Sequence, residues 1–139
     1  MFAEIVSDSA GIHVDADMQQ LILKVKGADR IILITDSMVS NEEAPPQFKH
    51  LDDLLFDHNG DLNGSALTMD RACRNMMVHT GCGLPEIFRR GSLNPARSIH
   101  MDREIGSIRK GKRANLVFTD DRLTVHRVML EGQFLDQLS

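Results

Sequence analysis

Two periodicities divide this chain. Met18, Leu21, Ile22 and Val25 fall at i, i+3, i+4 and i+7, which predicts one apolar stripe on a helix capped by Asp15 or Asp17 and stopped by Gly27. Just ahead of it, Phe2 to Val6 reads as a short strand. Ile31, Ile32, Leu33 and Ile34 are apolar at every position, the pattern of a parallel strand covered on both faces. From Asn41 to Asp61 the chain is polar, contains Pro45 and Pro46, and has only Leu54, Leu55 and Phe56 as an apolar patch. That predicts mostly loop with one short strand. A second helix follows from Ser65, with Met69, Ala72, Cys73 and Met76 on its apolar side and its end near Gly81. Pro85 opens another through Phe88, and Asn94 followed by Pro95 reads as a capped helix start. Beyond Gly106 the period becomes that of strands: Ala114 to Thr119 and Val125 to Leu130, separated by Asp120, Asp121 and Arg122.

This order predicts an α/β fold, the end of an α/β unit joined to part of a small β domain. A parallel sheet normally needs more than two strands to cover its faces, so the expectation is a chain missing a front end. Composition adds bounds. With 139 residues, 42% of them hydrophobic, the chain fits one soluble domain or a piece of something larger. A net charge of −4, scattered Lys and Arg, and the absence of Trp and Tyr disfavour nucleic acid as a partner. No run nears the roughly 18 apolar residues of a membrane span, and MFAEIVSDSAG lacks the regions of a signal peptide. A cytoplasmic protein with no membrane partner is expected. Cys73 and Cys82 follow no metal-ligand spacing and read as reduced thiols.

In α/β folds, reacting groups project from the C-terminal ends of strands, where rigid backbone meets an open mouth. Asp36 follows the Ile31 to Thr35 run at such a point, and His13 stands in the corresponding place after the first strand. The carboxylate suits a general base that becomes a general acid; the imidazole suits a substrate contact or a metal. Asp36 as a helix or turn cap, and His13 as a structural residue, are the competing readings. His50, His58, His79, His100 and His126 follow no ligand spacing and read as surface or structural. The Met69 to Met77 cluster reads as core.

The segments AEIVSD, GIHV, RIILITDSM, LNGSALTMDRACRNM, SLNPARSI and GSIRKGKRANLVFTDD resemble, in that order, the C-terminal part of the N-acetylglucosamine-6-phosphate deacetylases of the amidohydrolase superfamily. The resemblance implies a C-terminal fragment of a (β/α)8 TIM barrel, carrying strands seven (Phe2 to Val6) and eight (Ile31 to Thr35) with their helices, plus part of a small β-sandwich. Residues 1–104 would be barrel and 105–139 the terminal strands of the sandwich. It also implies metal-dependent hydrolysis of the acetamide of an N-acetylhexosamine 6-phosphate. Asp36 would take a proton from the metal-bound water and deliver one to the leaving amine, His13 would help hold the sugar phosphate, and Leu62, Asn63 and Gly64 would contact it.

The implied cofactor is a divalent metal of the zinc or iron class. Its ligands in the family, a glutamate and two histidines, come from earlier strands, so none is expected to be bound by this chain alone. The expectation is therefore a fragment inactive by itself, completed by another copy or a complementing chain. The alternative is a non-catalytic, self-associating or partner-binding module. Two departures stand out. The family shows Asp-Gly, one residue, then His, whereas Ser9 and Ala10 separate Asp8 from Gly11, which predicts a shifted loop around His13. The segment from Asp36 to Leu62 is also shorter and poorer in Gly than the family's hairpin.

Overall fold

The computed structural model describes residues 1–40 and 42–135. Strands β1 (Ala3–Val6) and β2 (Ile31–Ile34) pair in parallel, with Ala3 opposite Ile31 and Val6 opposite Ile34. Ile31, Ile32 and Leu33 are all buried, so β2 is covered on both faces as its unbroken apolar run predicts. The crossover is helix α1 (Ala16–Lys26), which packs against helix α2 (Met69–Thr80). Ile5, Leu33, Leu67, Met76 and Ile87 lie in the shared core.

Asp15 caps α1 by accepting the Asp17 N–H at 2.8 Å, and the Gly27 N–H closes it on the Leu23 carbonyl at 3.1 Å. The buried face is not the predicted stripe. Met18, Leu21 and Val25 are 48%, 52% and 74% exposed, whereas Gln19 is fully buried and Ile22 and Leu23 are half-buried. Side-chain hydrogen bonds turn the helix this way. The Gln19 Nε2 donates to the Val14 carbonyl at 2.8 Å and to His79 Nδ1 at 3.0 Å, while its Oε1 accepts from Ser7 Oγ at 3.0 Å. A buried amide with its donors and acceptor matched costs little, and periodicity counts only apolar side chains.

The segment after β2 holds more strand than expected. β3 (Leu54–Phe56) and β4 (Leu62–Ser65) form an antiparallel hairpin. Its turn is built on Asp57, whose carboxylate accepts the N–H groups of Asn59 at 2.8 Å and Asp61 at 3.0 Å. Leu62, Asn63 and Gly64 are therefore strand residues, not loop, and α2 starts at Met69 because Ser65 ends a strand. A polar LNGS sequence has no alternation to announce it; pairing with the apolar β3 makes it a strand. Within α2, Ala72, Cys73 and Met76 are buried, but Met69 is 40% exposed.

An α-helix does begin at Asn94, but the Asn94 side chain does not cap it, because the chain enters it from helical backbone. Helix α3 (Leu84–Phe88) runs through a wide π turn (Arg89–Leu93) into α4 (Asn94–Ser98), and Asn94 has helical backbone at φ −66°. Pro95 has no N–H to give the preceding turn, and the widened turn accommodates its ring. The Asn94 amide serves a distant partner instead, donating to the carbonyls of Ala28 at 2.8 Å and Ile31 at 2.7 Å.

The terminal sheet comprises β5 (Leu116–Thr119), β6 (Val125–Leu130) and β7 (Gln133–Phe134), all antiparallel; the third strand was not expected. Its first turn inserts Leu123, 3% exposed, into the main core, where Arg74 Nη1 donates to the Leu123 carbonyl at 3.2 Å. Cys73 and Cys82 are buried and unbridged, and burial, reinforced by nearby Asp70, pushes the Cys73 thiol up to about 11. Among the described residues no helix is long and apolar enough to cross a membrane.

One buried cation is poorly served. Arg90 is 3% exposed, its Nε and Nη1 have no hydrogen-bond partner among the described residues, and its Nη2 lies 3.7 Å from Glu86 Oε1. Replacing a buried, under-paired charge by an apolar side chain of similar length is stabilising. Arg90→Met is expected to gain about 1–3 kcal/mol, read as a higher urea midpoint at unchanged slope.

Candidate active site

Because β1 and β2 are parallel, the loops leaving their C-terminal ends emerge on one edge of the sheet. The loop after β1 is built around Asp8, whose side chain is fully buried. Its carboxylate accepts the N–H groups of Ala10 at 3.1 Å, Ile12 at 2.9 Å and His13 at 2.9 Å. The His13 ring adds a fourth contact, Nδ1 to Asp8 Oδ2, at 3.0 Å. Burial alone would raise the Asp8 pKa, but the backbone N–H groups of His13 and Ile12 and the His13 ring outweigh it and hold the carboxyl below its ordinary value. An ionised carboxylate only accepts, so His13 Nδ1 carries the proton. The other ring nitrogen, Nε2, is buried and unpartnered among the described residues.

The shift expected from Ser9 and Ala10 does not detach His13 from Asp8. The two residues fold as a turn closed by the Gly11 N–H on the Asp8 carbonyl at 3.3 Å, and Asp8 still reaches both the backbone and the ring of His13.

Asp36 leaves β2 in left-handed backbone, φ 51°, with its side chain exposed. Its carboxylate accepts no hydrogen bond among the described residues, so it caps neither a helix nor a turn. The backbone around it is pinned by Ser65, which is fully buried at the end of β4. Ser65 donates its N–H to the Asp36 carbonyl at 2.9 Å and its Oγ to the Thr35 carbonyl at 2.5 Å, and it accepts the Met38 N–H at 3.0 Å. Gly64 makes that approach feasible. At φ 75° it has no side chain to clash, whereas a Cβ there would sit 2.8 Å from Met38 Sδ and 3.0 Å from the Asp36 carbonyl oxygen.

The structure thus brings Gly64 directly onto Asp36, with exposed Leu62 and Asn63 earlier on the same strand. No hydrogen bond joins His13 to Asp36 among the described residues. His79 is structural, as expected: Nδ1 accepts from Gln19, and Nε2 faces the Ser9 carbonyl at 3.3 Å. Sequence reasoning missed the organising roles of Asp8 and Asp53; the traces of Asp8 were its place two residues past an apolar strand and its place in the Asp-Gly pattern. Among the described residues no group of three or more His, Cys, Asp or Glu side chains is arranged to hold a metal ion.

Comparison with known proteins places this geometry in a family. The model of the amidohydrolase family matches residues 11–135, and the chain belongs to that family. It is 33% identical over 138 residues to the N-acetylglucosamine-6-phosphate deacetylase of Lysinibacillus sphaericus, covering 94% of this chain but 35% of that protein. It is equally 33% identical, over 137 residues, to the putative N-acetylgalactosamine-6-phosphate deacetylase of Escherichia coli K12, covering 94% of this chain and 80% of that shorter protein. A crystal structure of N-acetylglucosamine-6-phosphate deacetylase from Pasteurella multocida superposes with a TM-score of 0.83 at 30% identity, covering 96% of this chain and 36% of the other. The chain therefore spans about a third of the length of the longer relatives it matches.

Two outcomes follow from the site geometry. Gly64→Ala is expected to cost about 1–3 kcal/mol, seen as a lower urea midpoint, because the left-handed backbone and the Asp36 carbonyl both resist a Cβ. Asp8 is held below its ordinary carboxyl value, so its contribution to stability is full above about pH 4 and is lost as pH falls through the lowered value. In Asp8→Asn the fall in melting temperature between about pH 5 and about pH 2.5 should be shallower than in the native protein.

Proposed function

We propose that this chain supplies the proton-transfer carboxylate and part of the sugar site for hydrolysing the acetamide of an N-acetylhexosamine 6-phosphate, the chemistry for which its relatives are named. The observation that carries the reading is the shared edge: Asp36 leaves β2, and the Asp8–His13 pair leaves β1, at the same end of two parallel strands. In this reading β1 and β2 are strands seven and eight of a TIM barrel, residues 1–104 belong to that barrel, and residues 105–139 belong to a small β-sandwich. The protein works in the cytoplasm, in amino-sugar breakdown.

Asp36 takes a proton from the water that adds to the acetamide carbonyl and returns one to the amine nitrogen, which is too poor a leaving group to depart unprotonated. Its exposure at a strand end suits that traffic. His13 meets the substrate through Nε2, since Nδ1 is committed to Asp8. Leu62, Asn63 and Gly64 contact the sugar from the neighbouring strand.

Amidohydrolase family members are generally metal-dependent. The described residues do not by themselves fit a divalent cation of the zinc or iron class, for they contain no cluster of three donors. Such donors would come from other polypeptide, and the isolated chain is read as not turning over. Met18, Leu21 and Val25, exposed on α1, and the outer edges of β1 and β2 are surfaces such polypeptide would cover. A non-catalytic, self-associating module has no observation specific to it.

The test is a chimera in which this chain replaces the matching segment of the Lysinibacillus sphaericus relative. Release of free amine from N-acetylglucosamine 6-phosphate and N-acetylgalactosamine 6-phosphate is assayed with a divalent cation present. Turnover is expected, and Asp36→Asn should lower it by about 10²- to 10⁴-fold. A folded chimera indifferent to that substitution would remove Asp36 from the reaction, and steady turnover by the isolated chain would overturn its incompleteness.

A further inference from the structure

We infer that Asp53 is a positioning residue: through Ser9 it locks the loop that carries His13 onto the hairpin that carries Leu62–Gly64, so that both segments hold or loosen together. Asp53 is fully buried in the bend before β3. Ser9 donates to it twice, through its backbone N–H to Oδ2 at 2.6 Å and its Oγ to Oδ1 at 2.9 Å. A carboxylate gripped at both oxygens by one residue fixes both the position and the direction of that residue.

The grip is anchored on the hairpin side as well. The Asp53 carbonyl accepts the Ala66 N–H at 3.2 Å, just past the strand whose last residue, Ser65, holds Asp36. Helix α2 supports the same carboxylate. Asn75 Nδ2 lies 3.3 Å from Oδ2 and also donates to the Ser7 carbonyl at 2.9 Å, while Arg71 Nε approaches Oδ2 to 3.6 Å and offsets its charge. Two segments distant in sequence, the Ser9 turn and helix α2, thus converge on one buried carboxylate.

The residue that supplies both loop-side donors is one of the pair that departs from the family spacing. Ser9 and Ala10 stand between Asp8 and Gly11, and the sequence alone reads them as a displacement of His13. In the fold they form the turn that brings Ser9 to Asp53, four residues ahead of His13. The loop therefore has two anchors: Asp8 holds it from within, and Asp53 holds it from the neighbouring hairpin. The bonds of the lock lie outside the β1–β2 ladder, which pairs Ala3–Val6 with Ile31–Ile34.

That the locked segments contact a sugar rests on the reading above, but the lock itself does not, and its test uses no sugar. Amide hydrogen exchange is measured on the full chain for the native protein, Asp53→Asn, Ser9→Ala and Ser9→Thr. In Asp53→Asn one oxygen becomes a second donor facing donors, so exchange at Ile12 and His13 should accelerate by about tenfold or more. The Ser65 and Met38 amides of the hairpin joint should accelerate with them, while the β1–β2 ladder keeps its native protection. Ser9→Ala, which removes one bond of the pair, should give a smaller rise at both places, and Ser9→Thr should restore native rates. Ser9→Ala decides the matter if Asp53→Asn does not fold. Unchanged rates at Ile12 and His13, a rise confined to one side, or an equal rise in the β1–β2 ladder would each overturn the inference.

Discussion

A carboxylate taken out of water has to be given hydrogen-bond donors or give up its charge, and at the end of β1 the chain meets that demand by wrapping around Asp8. Three backbone N–H groups and one imidazole nitrogen converge on its two oxygens. Once those partners are set, little freedom remains between Asp8 and His13. The turn through Ser9 and Ala10, the left-handed Gly11 and the direction of the His13 ring all follow from them. The same requirement recurs at Asp53, which draws Ser9, Asn75 and Arg71 together. Two buried anions thus shape loops that no apolar side chain could organise.

Beneath this polar layer lies an ordinary hydrophobic one. Ile5, Leu33, Met76 and Ile87 pack between the two strands and the helices, and Leu123 joins them from the terminal sheet. The polar groups gather at the strand ends, where solvation and rigidity meet. Ser65 links the layers: its side chain and backbone bind Thr35, Asp36 and Met38, so the exposed carboxylate of Asp36 stands on backbone fixed from a separate hairpin. That arrangement leaves only the Asp36 side chain free to respond to its surroundings.

Membership of the amidohydrolase family gives the edge of the sheet its meaning. The chain spans about a third of the longer relatives it matches, and the described residues place no three metal donors together. What it does hold is a coherent corner: one exposed carboxylate, one imidazole with a committed nitrogen, and two loops tied to each other. Ser9, one of the two residues that depart from the family spacing, is the one that ties them.

The sequence by itself determined the α/β character, the burial of β2 on both faces, the stop of α1 at Gly27 with its cap narrowed to Asp15 or Asp17, the end of α2 at Gly81, and the strand-end positions of Asp36 and His13. Each of these rests on local periodicity or on a residue's own backbone preference, which short stretches encode. Only the tertiary structure decided that α1 turns Gln19 inward and Met18, Leu21 and Val25 outward, that Leu62–Ser65 is a strand, that Asn94 reaches back to Ala28 and Ile31, and that Asp8 and Asp53 are the organising anions. Several of those outcomes depend on hydrogen bonds between distant residues, such as Ser7 with Gln19 and with His79, Ser9 with Asp53, and Asn94 with Ala28, while the bonds around Asp8 are local but join groups that no periodicity marks. A buried polar group looks in sequence like an exposed one until its partners arrive, because what makes burial affordable is supplied by another part of the chain.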